Sequence, residues 1–261
     1  MIINSQLGGT QPTGTINITT NGTHDVSSYA NADVQVPTTA PTYYIERTLD
    51  NQGKLTTKTS NIIDFTGISD LDAYILSYAY YNNSTVSGTL NITSTLKISG
   101  RYACDSAFYN CPGLTNLNLS GLTVISGEWA CNYMFAWDTN ITSIDVSNLT
   151  TISGQQSCAY MFYACSGLTS ITFTNLTTIT GNLACNYMFS RCTNLTSISF
   201  PALTSTSFGI RTNIFSNMLS QITGCTLHFP SNLSSVVSGL DGYPNFGGTN
   251  TVLAFDLPAT A

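Results

Sequence analysis

"ACNYMFAWDTNITSIDVSNLTTISG", residues 130–154, returns with few changes as "ACNYMFSRCTNLTSISFPALTSTS" at residues 184–207. The echo belongs to a stricter pattern. Cys104, Cys131, Cys158 and Cys185 stand 27 residues apart, and so do Phe108, Phe135, Phe162 and Phe189. The same offset links Leu117, Ile144, Ile171 and Ile198, and again Leu122, Leu149, Leu176 and Leu203. A fixed period of this length is the mark of a stacked repeat architecture. Carried backwards, the register meets Leu90 and Ile92, then Ile63 and Phe65; carried forwards, it meets "LHFP" from Leu227 after two inserted residues. About seven rungs follow, with degenerate copies at the ends.

Within a rung, the string L-T-S-I-x-F/V alternates apolar with small polar residues, the period of a half-buried strand. Leu114, Leu117 and Leu119 are expected to face inward. A second extended piece, "LTTIS" at 149–153, carries its own inward Leu and Ile before a turn at Gly127, Gly154 or Gly181. The segment that opens "ACNYMF" is too short for a free helix and is expected to form one helical or 3₁₀ turn that presses Met and Phe inside. One rung cannot close a core alone, so each copy completes its neighbour's. The fold class is mainly β: a solenoid of about seven 27-residue rungs with a small N-terminal β-module.

The spacing L-x-x-L/I-x-F/L, with C-x-x-M-F-x-x-C upstream, resembles the BspA-like leucine-rich repeats of bacterial and phage-encoded surface proteins over residues 63–230. That resemblance implies a right-handed solenoid used for attachment or protein contact, and no catalytic residues. The organisation read from the chain is an N-terminal β-module (1–42), a linker and cap (43–62), the leucine-rich-repeat solenoid (63–232) and a C-terminal cap and tail (233–261).

Charged residues make up 8% of the chain against about 25% in an average protein. Seven basic residues in a chain of net charge −6 form no run, which argues against nucleic acid as a partner. No stretch nears the roughly 18 apolar residues of a membrane-spanning helix. The opening "MIINSQLGGTQPTG" shows neither the basic nor the apolar region of a signal peptide, so assembly in a cytoplasm is expected. Leu257 to Ala261 reads as a frayed tail.

Seven of the eight cysteines follow the repeat: Cys104, Cys131, Cys158 and Cys185 in one column, Cys111, Cys165 and Cys192 in a second. Position 138, the second column's missing member, is Asp138. A column with a dropout is a packing position, so reduced, buried thiols are expected rather than bridges or metal. His24 and His228 lie far apart in the register, and Asp70 and Asp72, the closest acids, suit a solvated cap. No enzyme, metal or cofactor is expected. The Asn-x-Ser/Thr triplets at Asn140, Asn148, Asn175 and Asn194 read as hydrogen-bonding columns along the stack.

Positions that stay constant between copies build the core, and those that vary are free for other use. The pairs after the turn glycine vary most: Arg101-Tyr102, Glu128-Trp129, Gln155-Gln156 and Asn182-Leu183. Beside them lie Tyr109, Ala136-Trp137-Asp138, Tyr163 and Ser190-Arg191. Trp, Tyr and Arg are enriched at binding hot spots. The surface-contact candidates are therefore Arg101, Tyr102, Glu128, Trp129, Trp137, Asp138, Gln155, Gln156 and Arg191. Such a strip serves a protein interface or stacks on sugar rings; a ridge packed on its own chain is the plainer alternative.

Residues 14–37, "GTINITTNGTHDVSSYANADVQVP", leave the register, and their alternation around Asn21-Gly22 suggests a small β-module. This run resembles a segment recurring in virion and tail-associated proteins of phages and prophages of gut bacteria. The resemblance implies a phage structural protein, located in the virion, that docks on other virion proteins through its N-terminal module. The solenoid would be displayed toward a host-surface glycan or protein as a fibre or decoration, in a homo-oligomer such as a trimer. A bacterial surface adhesin of the BspA-like class is the alternative.

Overall fold

The computed structural model describes residues 69–260, apart from positions 72, 74, 75, 85 and 209–212, together with five short strands before them. Those strands are β1 (Gly14–Ile16), β2 (Thr23–Asp25), β3 (Tyr43–Ile45), β4 (Thr48–Leu49) and β5 (Lys54–Thr56). β1 pairs in parallel with β3, while β5 pairs antiparallel with both β2 and β4. The second half of the alternating run, "ADVQVP" at residues 32–37, and the rung at Ile63 and Phe65 lie outside the described residues.

From residue 69 the chain coils. Successive strands are β6 (Asp70–Leu71), β7 (Ser87–Asn91), β8 (Leu96–Ile98), β9 (Gly113–Asn118), β10 (Leu122–Ile125), β11 (Ser143–Asp145), β12 (Thr151–Ile152), β13 (Ser170–Thr172), β14 (Thr178–Ile179), β15 (Ser197–Ser199) and β16 (Thr226–Pro230). One short helix, α1 (Ser234–Val237), precedes the last strand, β17 (Val252–Leu257). The rungs from β7 to β14 each contribute to three walls, and the second wall ends at β14. One wall holds β7, β9 and β11, then β13, β15, β16 and β17; the second stacks β6, β8, β10, β12 and β14. Every pairing in these two walls is parallel, and the register carries the repeat: Ile144 sits beside Leu117, Leu117 beside Leu90, and Ile198 beside both Ile171 and Leu227. Leu114, Leu117 and Leu119 are buried, as their alternation requires.

The third wall differs from the expected helical turn. It is a run of overlapping turns in which every fourth residue is left-handed: Trp129, Tyr133 and Trp137 in one rung, Gln156, Tyr160 and Ala164 in the next. Each closes a turn of the type that needs positive φ at its third residue, as when the Ala130 N–H donates to the Gly127 carbonyl across Trp129. The intervening N–H groups donate to the next rung instead: Trp129 to Gln155, Cys131 to Ser157, Tyr133 to Ala159, Phe135 to Met161 and Trp137 to Tyr163. A helix would spend all its donors locally. Here half of them bind the stack, and that gain offsets roughly 1–2 kcal/mol per left-handed residue.

Columns of identical side chains line the interior. Phe108, Phe135, Phe162 and Phe189 stack at centroid separations of 5.4, 5.8 and 5.6 Å. Cys104, Cys131, Cys158 and Cys185 follow one another a rung at a time, each N–H bonded to the rung above. In the second cysteine column the thiols of Cys111, Cys165 and Cys192 donate to the carbonyls of Tyr80, Phe135 and Phe162, 3.0–3.1 Å away. All eight cysteines are buried and unbridged, in accord with the reduced ladder. Burial pushes the thiols of Cys158, Cys192 and Cys225 up to about 12.

The sequon asparagines are structural. The side-chain amides of Asn140, Asn148, Asn175 and Asn194 each donate to a carbonyl one rung back, at 2.7–2.8 Å. The tail expected to fray is tied down. β17 extends the sheet as a further rung, and Thr260 Oγ1 donates to the Leu203 carbonyl at 2.6 Å.

Two features interrupt the regularity. No strand pairing joins β11 to β13, although the two stay neighbours, and a shallow open depression of about 370 Å³ lies over them, lined by residues 142–147, 170–172 and 174. At the corner before the turn wall, glycines meet in column: a Cβ on Gly154 would run into the Gly127 carbonyl oxygen. Close approach of main chains, not turn geometry, requires glycine there.

Two measurements check this fold. Gly154→Ala should force adjacent rungs apart and lower unfolding free energy in urea by about 1–3 kcal/mol, the range for overpacking, or more. A thiol reagent at pH 8 should react slowly with the native protein, and unfolding without reductant should release eight free thiols per chain.

Candidate interaction face

The left-handed residues of the turn wall alternate with inward ones, so Cys131 and Phe135 enter the core while Trp129, Tyr133 and Trp137 project outward. Stacking turns these into three columns. The first holds Tyr102, Trp129, Gln156 and Leu183; the second Ser106, Tyr133, Tyr160 and Tyr187; the third Asn110, Trp137, Ala164 and Arg191. Their common backbone conformation is what aligns them.

The middle column is a tyrosine ladder that the variability of copies did not reveal. Tyr133 stacks on Tyr160 at 4.4 Å and Tyr160 on Tyr187 at 4.8 Å, with planes within 10°. All three are half-buried. Burial, then the neighbouring Tyr160, pushes the Tyr133 phenol above its usual range, so it stays protonated and able to donate. The rings cover one another's faces and show their edges to solvent. The sequence signal was present, a Tyr at constant spacing beside Met and Phe, but constancy was equated with burial.

Four predicted residues meet at the first column, Tyr102 and Trp129 within it and Arg101 and Glu128 beside it. Arg101 Nε lies 3.2 Å from Glu128 Oε2, its guanidinium sits 5.1 Å from the Tyr102 ring centre, and Trp129 stacks on Tyr102 at 6.2 Å. The ion pair is exposed and contributes little to stability. Gln155 is exposed and Gln156 half-buried in the next rung. In the third column Trp137, 38% exposed, meets the Tyr163 ring edge-on at 5.8 Å. The Arg191 guanidinium lies 5.5 Å from the Tyr163 ring centre, and its Nε donates to Gln221 Oε1 at 2.9 Å. Tyr81 and Tyr109, stacked at 4.7 Å, lengthen the face toward the first described rungs.

Asp138 is not a surface contact; that expectation is corrected. It is fully buried, because it follows the second cysteine column inward rather than Trp137 outward. Its Oδ1 accepts the Cys111 N–H, whereas the equivalent N–H of Cys165 donates to the carbonyl of Phe162. Oδ2 is buried without a hydrogen-bond partner. Burial raises the carboxyl well above its ordinary range, partly offset by the Cys111 N–H, which favours its protonated form. Asp105, also buried, is raised by burial to about 6, against the lowering effect of hydrogen bonds from Asn132 and others.

No cluster of three or more His, Cys, Asp or Glu side chains able to hold a metal ion occurs among the described residues. His228 lies on β16, with Nδ1 2.9 Å from Asp256 Oδ2 on β17, away from the turn wall. The geometry of this wall suits contact with another surface: flat, half-exposed aromatic rings, two arginines and few carboxylates.

The family model for the BspA type leucine-rich repeat region matches in six copies, over residues 58–183 and 105–239. Neither a curated protein nor a solved structure matches the chain.

A buried acid with a raised pKa favours the fold most at low pH and loses that favour as pH climbs from the unfolded carboxyl range through the folded value. Asp138→Cys, which restores the column, should therefore stabilise the protein at pH 7 by about 1–3 kcal/mol. The gain should shrink toward pH 4, as measured by urea unfolding at both values.

Proposed function

The chain belongs to the BspA-type leucine-rich repeat family, and on that premise we propose that it is an attachment protein whose turn wall makes the contact. The observation that carries this reading is the aromatic face itself. Trp129, Trp137, Tyr102, Tyr109, Tyr133, Tyr160, Tyr163 and Tyr187 lie partly exposed on one wall, where a purely structural solenoid would carry the small polar residues of its other outer positions. Large, rigid side chains bury much area on contact and lose little conformational freedom.

The finer reading is a phage virion protein, assembled in the host cytoplasm, that holds the particle through its N-terminal module and presents the solenoid to a host-surface glycan or protein. It rests on the resemblance read in the sequence of Gly14 to Pro37, which lies outside the matched repeat region, and on eight thiols that suit a reducing place of assembly. A bacterial surface adhesin uses the same wall in the same way and is the second reading, favoured by family membership alone.

Trp137→Ala tests the contact. The left-handed backbone tolerates Ala there, since Ala164 occupies the same column at φ 60°. Adsorption to target cells should fall by about 5- to 30-fold, the range for a hot spot worth 1–2 kcal/mol, with thermal unfolding little changed. A large loss of stability with intact adsorption would make the tryptophan core rather than contact. Mass spectrometry of purified particles decides the virion reading by the presence or absence of this polypeptide.

A further inference from the structure

Most rings on the turn wall have spent their faces. Tyr133, Tyr160 and Tyr187 cover one another, Tyr102 is covered by Trp129 and by the Arg101 guanidinium, and one face of Tyr163 lies under Arg191. Trp137 differs. Its one ring contact among the described residues is edge-type, with Tyr163, and it is the most exposed large aromatic of this wall.

The third column places a small residue next to it. Reading along the stack, Trp137 is followed by Ala164 and then by Arg191, all three left-handed and so projecting alike. Rungs stack at about 4.8 Å, which sets the main chains of Trp137 and Arg191 about 10 Å apart; Ala164 between them is buried, so the notch is the shallow step over it between two exposed side chains. Tyr163 forms the side of this notch, touching both Trp137 and Arg191. Gln221 holds the guanidinium by its Nε, and no carboxylate pairs with Arg191 among the described residues, whereas Arg101 is neutralised by Glu128.

We infer that this notch is a binding subsite for a carboxylated sugar, the apolar ring face resting on Trp137 and the carboxylate on Arg191. The span fits one pyranose with its acidic substituent. The planar fork of an arginine held in place by Gln221 suits a carboxylate, and among the described residues no acid competes for it. The inference rests on the attachment reading and specifies its ligand.

The chain has two tryptophans, so Trp129→Phe leaves Trp137 as the sole tryptophan fluorophore. In that background, 3′-sialyllactose or trigalacturonate should change the fluorescence saturably, while lactose should not. Arg191→Gln should weaken the response by about 10-fold or more, Arg191→Lys by less, and Arg101→Gln should leave it unaltered. An unchanged near-ultraviolet circular dichroism of the tyrosine ladder confirms that each variant is folded. No response to either acidic sugar at about 10 mM, near the weakest affinity worth scoring, an equal response to lactose, or indifference to Arg191→Gln would each overturn the inference. Adsorption separates the two readings. If Trp137→Ala still weakens attachment while acidic sugars fail to bind, the notch is wrong and the attachment face stands; if attachment is unaffected, the broader reading fails as well.

Discussion

The hydrogen bonds that run from one rung to the next across the turn wall are the constraint on which this molecule depends. Alternate N–H groups from Trp129 to Trp137 reach carbonyls of the following rung, and the same holds for their counterparts in adjacent copies. Such bonding tolerates no change of phase. A rung one residue longer would turn every outward side chain inward, so a strict period of 27 residues is enforced by main-chain geometry before any side chain is considered. The longer interval from Ile198 to Leu227 respects this rule. The Cys158 N–H finds its acceptor at Ala184 and the Phe162 N–H at Met188, while Cys185 finds Ile214 and Phe189 finds Met218, so the added residues enter ahead of the bonded run and leave its spacing intact. The glycine corner, where the main chain comes within contact of the next rung's carbonyls, is a second expression of the same close stacking.

That stacking also explains a composition with so little charge. A charged residue repeated in every copy would place like charges about 5 Å apart along the rod, each costing on the order of 1 kcal/mol or more even near water. Small hydroxyl and amide side chains turn the same proximity to advantage. Thr123 and Thr150, one rung apart, each donate to a carbonyl of the preceding rung, and the asparagine amides do likewise. Where an acid does occur it stands alone: Asp145 has Asn118 beside it in register, and Thr172 holds the equivalent place in the next copy. Inside, the same logic favours cysteine, whose weak donor finds a carbonyl at a fixed offset. Asp138 shows the cost of departing from it.

The exact repeat made the solenoid, its period, its inward columns and its unbridged thiols legible, because periodicity reports burial directly when each copy packs on a copy of itself. The turn wall was harder to read. Its left-handed positions are occupied by Trp, Tyr, Gln, Leu and Arg rather than glycine, so nothing in the local composition marks them, and inter-rung bonding that overrides local preference is invisible in one rung. Comparison of copies found Trp129, Trp137 and Arg191 because they vary. It missed Tyr133, Tyr160 and Tyr187, since a surface ladder is as constant as a core one, and it misplaced Asp138, since a substitution in a buried column also looks like variation. The last rung escaped notice because β17 lacks the cysteine and glycine landmarks that flag the others.

The unbonded seam between β11 and β13 gives the rod an uneven mechanical character. Before it three walls carry the load, and after it the first wall resumes with β13 and β15; at the seam the load passes through the pairing of β12 with β14 and the bonds from residues 129–137 to 155–163. Bending that opens the first wall meets least resistance at that level. The shaft is therefore stiff in two segments and compliant between them, with Trp137 on one side of the compliant joint and Arg191 on the other.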